Sequence, residues 1–391
     1  MAKNIVICLD GTGNQIEKNI SNVLKLYRAL KKDKTQIVFY DQGIGTLGRT
    51  DPWGKVRQWL KDQVLSMGVG IGLDENVIKA YEFLVQNYKE ADKIYLFGFS
   101  RGAHTARVLA GLLYEIGLLK PEQINLSGAA LTAYKQSADF QANQGENEDG
   151  NEGEGTNFRR IIKTRRVAIE FMGVWDTVSS VLVPNYKSLF IPPIKKEILP
   201  HTVENPAVKT FRQAAAIDER RRMFRLDYWK DGQTFQPNKY STGENPPQDY
   251  KQVWFAGVHA DVGGGYPKDG SGLSQFSLIW MIEEAKVAGL DVFDRMANYV
   301  TGQTNWSSDT DYTYPPPDVM AVKHKSLKGV WLILEILPKS AKLKEWQKKG
   351  SLLGLYLPLR EPRFIPDDAI IHQSALDKQV NDPKYNPVNL K

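Results

Sequence analysis

The sequence has only one cysteine and no long apolar run, which excludes a disulfide-stabilised protein and one with a membrane-spanning helix. Cys8 lies in the apolar string IVICLDGT, so no internal disulfide can form, and we interpret it as a small buried core residue. No stretch approaches the roughly 18 uncharged apolar residues of a membrane-spanning helix. The N-terminus lacks the pattern of a signal peptide, which predicts residence in the cytoplasm and leaves export by a specialised secretion system open.

Composition and charge indicate a globular protein with a sizeable core. Of 391 residues, 42% are hydrophobic and 25% are charged, and the length suits a single catalytic domain over residues 1–391 that carries insertions. The net charge of +6 is compatible with peripheral contact with an anionic membrane. Because the basic residues lie in local clusters and no nucleic-acid recognition motif is found, we predict no nucleic-acid partner. Nothing in the sequence indicates an oligomeric state.

Short apolar strands alternate with helical patterns along the chain. The strings NIVICL, QIVFY and KIYLF predict strands at residues 4–9, 36–40 and 93–97. Helical spacing follows Ser21, a predicted N-cap, and begins again near Asp74. Two later strings, VAIEFMGVWD and YKQVWFAGVHAD, are apolar as central parallel strands are. This order predicts an α/β fold of the α/β-hydrolase type, with a mostly parallel central sheet and helices on both faces.

Two segments depart from this alternation. Residues 140–157 are acidic and rich in glycine and asparagine, which predicts a disordered surface loop. Residues 180–250 are rich in proline, aromatic and basic residues, and we predict that they form a cap or lid inserted over the catalytic face. No internal repeat divides the chain, so both segments are interpreted as excursions from one domain.

The string GFSRG at residues 98–102 stands between the strand KIYLF and a helical pattern. Such a sharp strand-to-helix turn exposes a serine hydroxyl, and Gly98 and Gly102 let the neighbouring backbone approach closely. We therefore predict that Ser100 is a nucleophile for acyl transfer. The backbone N–H of Arg101, at the start of the helix, is the predicted donor to the oxyanion. The motif alone is weak in a chain with 32 glycines, so its place between a strand and a helix carries the prediction.

The general base must be a histidine at another strand end. His259 ends the apolar strand VWFAGV and opens the glycine loop HADVGGGY, and we predict that it is the base. His104 lies one turn after Ser100 on the same helix and cannot reach back to it. His201 and His324 lie in proline-bounded or polar segments, which argues against both.

Asp176 ends the strand IEFMGVW, as His259 ends its own strand. The chain order Ser, Asp, His is typical of α/β-hydrolases, so we predict that Asp176 accepts the Nδ1 proton of His259 and orients the ring. Asp261, two residues after His259, competes for this role. An aspartate so near usually bonds loop backbone, which favours Asp176 and leaves Asp261 a supporting residue.

The loop Asp10-Gly11-Thr12 closes the first strand, where a second oxyanion donor belongs. We predict that a backbone N–H of Gly11 or Thr12 supplies it, with Asp10 in support. The string LDGT also resembles phosphatases that use an aspartyl nucleophile in a DxDGT motif. Cys8 stands at the position of that nucleophile, so the phosphatase interpretation fails.

Six ordered strings carry a resemblance to a known family: LDGTGN, YDQGIGT, GFSRGAHTAR, GVWDTV, AIDERR and GVHADVGGGY. With them the chain resembles the DUF2235 family of α/β-hydrolases, which includes the type VI secretion lipase effectors of the Tle1 type. The resemblance implies that Ser100, Asp176 and His259 form a catalytic triad acting on a fatty-acyl ester, with phospholipase A activity known among effector members. It does not imply that this chain is a secreted effector.

These observations predict serine-dependent hydrolysis of a small-molecule or lipid carboxylic ester through an acyl-enzyme on Ser100. A soluble short-chain carboxylesterase, or a peptidase or thioesterase, would use the same residues. A non-catalytic binding protein on a hydrolase fold is the alternative from a different class. A metal-assisted hydrolase could use Asp10, Asp261 and His259, but the sequence lacks any recognised ligand spacing, so we predict no metal and no cofactor.

Overall fold

Seven strands form one sheet in which every neighbouring pair is parallel. The computed structural model describes residues 2–11, 20–43, 72–142, 153–178, 182–184, 194–196, 199–238, 242–305, 313–336, 338–341, 344–346 and 349–390. From one edge to the other the sheet contains β2 (Gln36–Asp41), β1 (Asn4–Leu9), β3 (Lys93–Phe99), β4 (Ile169–Trp175), β7 (Val208–Ala216), β8 (Asp249–Phe255) and β11 (Ile370–Ile371).

Besides this sheet, the described residues contain two antiparallel pairs, ten α-helices and three short 3-10 helices, at Pro121–Leu126, Arg222–Phe224 and Lys268–Gly270. The pairs are β5 (Leu182–Pro184) with β6 (Ile194–Lys196), and β9 (Lys339–Ser340) with β10 (Leu355–Tyr356). The helices are α1 (Asn22–Ala29), α2 (Leu73–Asn87), α3 (Arg101–Glu115), α4 (Ser127–Ala142), α5 (Glu154–Ile162), α6 (His259–Gly263), α7 (Gly272–Val287), α8 (Asp294–Val300), α9 (Val330–Glu335) and α10 (Gln373–Asn381). None of these helices is long and apolar enough to cross a membrane.

Helices cover both faces of the sheet because successive side chains of a strand point to opposite sides. In β1, Ile5 and Ile7 pack into a core that includes α2 and α3, whereas Val6 and Cys8 pack into a second core that includes α1 and α7. Cys8 is fully buried, as predicted. The predicted fold class, a parallel sheet with helices on both faces, is confirmed.

The predicted boundaries of the inserted cap are wrong on their C-terminal side. Residues 208–216, inside the predicted segment 180–250, form β7, which pairs with β4 and β8 in the middle of the sheet. The strand escaped the sequence analysis because Arg212 and Gln213 interrupt its apolar run. The sheet tolerates the buried Arg212 because Glu284 pairs with it at 2.6 Å. Residues 185–193 lie outside the described residues, so a cap in that part stays a prediction.

The bounds predicted for the acidic loop, residues 140–157, are too wide at both ends. Residues 140–142 are the last residues of α4, and residues 154–157 are the first of α5. The central part of this prediction, residues 143–152, lies outside the described residues.

The strand order reverses at β1, since β2 lies on one side of it and β3 on the other. In open parallel sheets, ligands bind outside the carboxyl ends of the strands at such a reversal point. Leu9 at the end of β1 is paired with Gly98 near the end of β3. The loop that contains Asp10 and the turn that contains Ser100 therefore lie side by side.

Candidate active site

Ser100 occupies a tight turn between β3 and α3. Its φ is 58° and its ψ is −120°, a backbone conformation that residues other than glycine rarely adopt. The backbone N–H of Ser100 donates to the carbonyl oxygen of Trp175 at 3.1 Å, which ties the turn to β4. The side chain lines a pocket of about 330 Å³. The chain thus presents a serine hydroxyl to a cavity at the carboxyl edge of the sheet.

The two glycines of the motif are required by close backbone contacts. A Cβ added to Gly102 would lie 2.6 Å from the carbonyl oxygen of Asp10 and still closer to that of Leu9. A Cβ on Gly98 would lie 2.5 Å from the carbonyl oxygen of Gly102. Real Cβ atoms do not approach backbone atoms so closely, so these glycines let β1, β3 and α3 converge on the serine.

His259 follows β8 and lines the same pocket as Ser100. Its Nδ1 lies 2.5 Å from Oδ2 of Asp176, and both side chains are buried. The imidazole lies against two aromatic rings, with its centroid 4.6 Å from that of Phe99 and 4.9 Å from that of Phe224. Strand ends far apart in sequence therefore bring together the serine, histidine and aspartate that the sequence analysis selected.

Asp176 is held on both carboxylate oxygens. Oδ1 accepts from the backbone N–H of Ala216 at 2.9 Å and from Nη1 of Arg363 at 2.5 Å, while Nη2 of Arg363 donates to Oδ2 at 3.0 Å. Burial raises the pKa of Asp176, but the Arg363 charge and the hydrogen bond from His259 outweigh it and hold the pKa well below its usual value. The carboxylate is therefore ionised at neutral pH.

Burial lowers the pKa of His259 below its ordinary value, and the hydrogen bond and charge of Asp176 oppose that shift without cancelling it. The ring is therefore neutral at pH 7. With Nδ1 donating to Asp176, a neutral ring leaves Nε2 as a proton acceptor. This is the protonation state that a general base requires.

Asp261 has a partner of its own. Its Oδ1 lies 2.6 Å from Nδ1 of His324, and its Oδ2 accepts from the backbone N–H of Val258 at 3.0 Å. The two His–Asp pairs are thus separate, and Asp261 bonds to the loop backbone before His259 as the sequence analysis expected. Its geometry is that of a residue supporting the histidine loop.

The backbone N–H of Gly11, predicted as a second oxyanion donor, has a partner inside its own loop. Gly11 lines the pocket, but its backbone N–H donates to Oδ1 of Asp10 at 2.7 Å. Oδ2 of Asp10 also accepts from Ser21 and, at 2.9 Å, from the hydroxyl of Tyr40. Contrary to the prediction, the Gly11 N–H is engaged by Asp10, which shapes the loop. Thr12 lies outside the described residues.

Arg101 is the first residue of α3 and also lines the pocket. The first N–H groups of a helix have no carbonyl partner inside the helix. The Arg101 N–H thus keeps the position predicted for an oxyanion donor.

The side chains of the metal-assisted alternative belong to separate hydrogen-bond sets. Asp10 bonds to its own loop, Asp261 to His324, and His259 to Asp176. Within the described part of the chain, no three His, Cys, Asp or Glu side chains come together to hold a metal ion.

Two residues that hold the site, Arg363 and Glu219, were not predicted from the sequence. Arg363 has no motif around it, and it reaches Asp176 from 187 positions away. Glu219 lies in the string AIDERR, which contributed to the resemblance without a role. Its Oε2 accepts from the backbone N–H of His259 at 3.2 Å and pairs with Arg221 at 2.9 Å. A charged string at a strand end was the available signal for Glu219, whereas Arg363 had none.

The chain matches one family model and part of a longer protein. The model described as type VI secretion, phospholipase effector Tle1-like, catalytic domain, matches residues 3–284. An uncharacterized protein of Saccharomyces cerevisiae is 32% identical over 232 residues, which cover 57% of this chain and 32% of that protein. The chain thus spans about a third of the length of this relative.

Two solved structures align with a large part of the chain at low similarity. An uncharacterized protein from Pseudomonas aeruginosa has a TM-score of 0.37 and 19% identity, covering 74% of this chain and 46% of that one. A Tle1 effector bound to the VgrG spike of the type VI secretion system has a TM-score of 0.32 and 22% identity, covering 70% of this chain and 52% of that one.

Proposed function

Because this chain belongs to the family of type VI secretion Tle1-like phospholipase effector catalytic domains, we propose that it hydrolyses lipid acyl esters by a serine mechanism. One observation carries the mechanism: Ser100, on its tight turn, shares a pocket with His259, whose Nδ1 lies 2.5 Å from Asp176. The arrangement supplies a nucleophile, a base and a carboxylate that orients the base.

In the proposed reaction, Nε2 of His259 takes the Ser100 proton as the serine oxygen attacks the ester carbonyl. The new oxyanion accepts a hydrogen bond from the Arg101 N–H. The tetrahedral intermediate then collapses, the bond to the leaving alcohol breaks, and His259 gives that oxygen its proton. Water hydrolyses the acyl-enzyme by the same sequence, releasing the fatty acid and restoring Ser100.

The test is hydrolysis of p-nitrophenyl esters from acetate to palmitate, together with liposomes of phosphatidylglycerol or phosphatidylethanolamine. We expect turnover of both the esters and the liposomes. A preference for long acyl chains and fatty-acid release from the liposomes supports a lipase. Turnover of the shortest esters alone would make the protein a short-chain carboxylesterase. Absence of turnover by a protein with an intact circular dichroism spectrum would leave a non-catalytic binding role.

The lowered pKa of His259 predicts the acid limb of the pH profile. The neutral ring is the active form, so activity is present above the folded-state pKa and is lost as the pH falls through it. We expect kcat/KM for a short ester to hold through neutral pH and to fall with a midpoint below about 6.5, the ordinary value for histidine. The measurement is kcat/KM across the pH range in which the fold is stable. A midpoint clearly above the ordinary value would contradict the proposed environment of His259.

A further inference from the structure

Three consecutive backbone N–H groups in residues 257–259, the histidine loop, donate to three buried carboxylates. The bonds join Gly257 to Oδ2 of Asp218 at 2.8 Å, Val258 to Oδ2 of Asp261 at 3.0 Å, and His259 to Oε2 of Glu219 at 3.2 Å. Each carboxylate side chain is at most 4% exposed. Because a buried N–H group needs a hydrogen-bond partner, these bonds fix the backbone from which the histidine ring projects.

The same three carboxylates bind a second segment, residues 323–326, which we call the strap. The contacts are Lys323 Nζ to Oδ1 of Asp218 at 2.8 Å, His324 Nδ1 to Oδ1 of Asp261 at 2.6 Å, and the Ser326 hydroxyl to Oε1 of Glu219 at 3.0 Å. One oxygen of each carboxylate therefore accepts from the histidine loop, and the other oxygen contacts the strap.

The strap forms part of the pocket wall. Lys325 and Ser326 line the cavity, and the ring of His324 stacks on Tyr266, another lining residue, with ring centroids 3.6 Å apart. The strap residues lie 63 to 107 positions along the chain from the carboxylates that they contact. A distant part of the chain is thus joined to the loop that carries the proposed base.

Two of the three carboxylates depend on the strap for a partner. A buried carboxylate is costly unless it is hydrogen-bonded or paired with a charge. Asp218 has the ammonium group of Lys323, and Asp261 has the ring nitrogen of His324. The third, Glu219, pairs with an arginine of its own loop. When the strap partner is removed, a carboxylate of the first two gains by turning toward water, and it then releases the peptide N–H that it held.

We propose that Lys323 and His324 are positioning residues for the catalytic base, acting through Asp218 and Asp261 on the backbone that precedes His259. The base must lie within hydrogen-bond reach of the serine hydroxyl, and a displacement of about 1 Å can lower a rate about 100-fold. A firmly held backbone limits such displacement. The effect on turnover rests on the proposed ester hydrolysis, whereas the effect on the backbone does not.

Matched variants separate the polar contacts from packing. His324→Leu removes the ring nitrogens, whereas His324→Asn keeps an amide N–H at the position of Nδ1. Lys323→Met removes the charge and keeps the length of the side chain, whereas Lys323→Arg keeps the charge. Lys328→Met is the control, because Lys328 is an exposed lysine two residues beyond the strap.

Two quantities are measured on variants that retain the circular dichroism spectrum of the wild type. Hydrogen–deuterium exchange of a peptide that spans residues 254–264, followed by mass spectrometry, reports the opening of the histidine loop. The values of kcat and KM for a short p-nitrophenyl ester report the placement of the base, because proton transfer requires the histidine and substrate binding does not.

We expect His324→Leu and Lys323→Met to speed exchange of this peptide about tenfold, as for the loss of one charge-assisted hydrogen bond, and to leave peptides of α1 unchanged. The value of kcat should fall about 10-fold to 100-fold with little change in KM. His324→Asn and Lys323→Arg should restore most of both quantities, and Lys328→Met should match the wild type.

Wild-type exchange and wild-type kcat in both His324→Leu and Lys323→Met overturn the proposal. Faster exchange with unchanged kcat overturns the positioning role, and so does a loss of kcat that His324→Asn and Lys323→Arg fail to restore. If His324→Leu does not fold, Lys323→Met decides, because the Lys323 side chain is 37% exposed. If the wild type hydrolyses no ester, the proposed function has failed and exchange alone decides. Faster exchange in Lys323→Met then supports the strap, and unchanged exchange overturns it.

Discussion

Replacing Ser100 with alanine is expected to lower kcat/KM for ester hydrolysis by roughly 10⁴-fold or more, without unfolding the protein. The hydroxyl oxygen is the only atom removed, and it is the proposed nucleophile on a turn whose backbone is set by the hydrogen bond to Trp175. Without it, no acyl-enzyme can form, and the remaining oxyanion donor and pocket give only weak acceleration. The measurement is initial rates on a short p-nitrophenyl ester, with circular dichroism to verify folding.

Ser326 provides a matched control because it is a second serine that lines the same pocket. Its hydroxyl donates to Glu219 at 3.0 Å, so it is a bonded residue of the wall. Ser326→Ala should therefore cost far less activity than Ser100→Ala. If Ser100→Ala is fully active and Ser326→Ala is inactive, the nucleophile is Ser326 and the proposed mechanism is contradicted.

Arg363→Met is expected to give the largest loss of stability, about 3–5 kcal/mol in the free energy of unfolding. The substitution removes a fully buried guanidinium and leaves the Asp176 carboxylate without its counter-charge. It also removes the donors to the carbonyl oxygens of Ala216 and Phe224, at 3.0 Å and 2.6 Å. Urea denaturation at pH 7 measures the loss. The control is Lys230→Met at an exposed pair with Glu204, where about 1 kcal/mol or less is expected.

A second substitution tells whether Arg363 acts through Asp176. In an Asp176→Asn background the buried charge is already absent, so Arg363→Met should cost clearly less there than in the wild type. Equal losses in both backgrounds would mean that the backbone contacts of Arg363 carry its effect. The pH profile gives an independent reading. Without the Arg363 charge, the Asp176 carboxylate stabilises a protonated His259 ring more strongly, so the pKa of His259 and with it the acid limb of kcat/KM should move to higher pH in Arg363→Met.

Arg363 also bears on the extent of the functional unit. The family match ends at residue 284, yet Asp176 is held by a residue well beyond it. Arg222, which follows the pocket residue Arg221, also contacts this later part of the chain. Its backbone N–H donates to Glu335, and its side chain pairs with Glu345 at 2.9 Å. The segment that follows the matched residues therefore completes the site of this chain.

Local patterns account for the parts of the site that the sequence predicted. A glycine-flanked serine between an apolar strand and a helix is a pattern of neighbouring residues, and the structure shows the tight turn that it indicates. Asp176 and His259 were selected because each follows a long apolar strand. Parallel strands end at one edge of a sheet, so residues of that kind converge even when they are 83 positions apart.

The parts of the fold and site that were predicted incorrectly have physical explanations as well. The strand β7 was assigned to a cap because it contains Arg212 and Gln213, whose burial depends on partners from other elements such as Glu284. The N–H of Gly11, one of the two predicted oxyanion donors, donates instead to the carboxylate of the preceding residue, Asp10. The hydrophobic pattern of a sequence does not reveal which residue pairs with a buried polar group. It also does not reveal the rotamer of an aspartate in a loop.

The sequence by itself determined the alternation of strands and helices, the turn that carries Ser100, and the two strand ends that carry Asp176 and His259, because hydrophobic period and glycine positions act over a few residues. Only the tertiary structure decided which aspartate pairs with which histidine, that Arg363 forms the ion pair with Asp176, and that Glu219 binds the backbone of His259. Those facts depend on contacts between segments that are distant along the chain, and such contacts exist only after the sheet has brought its strand ends together.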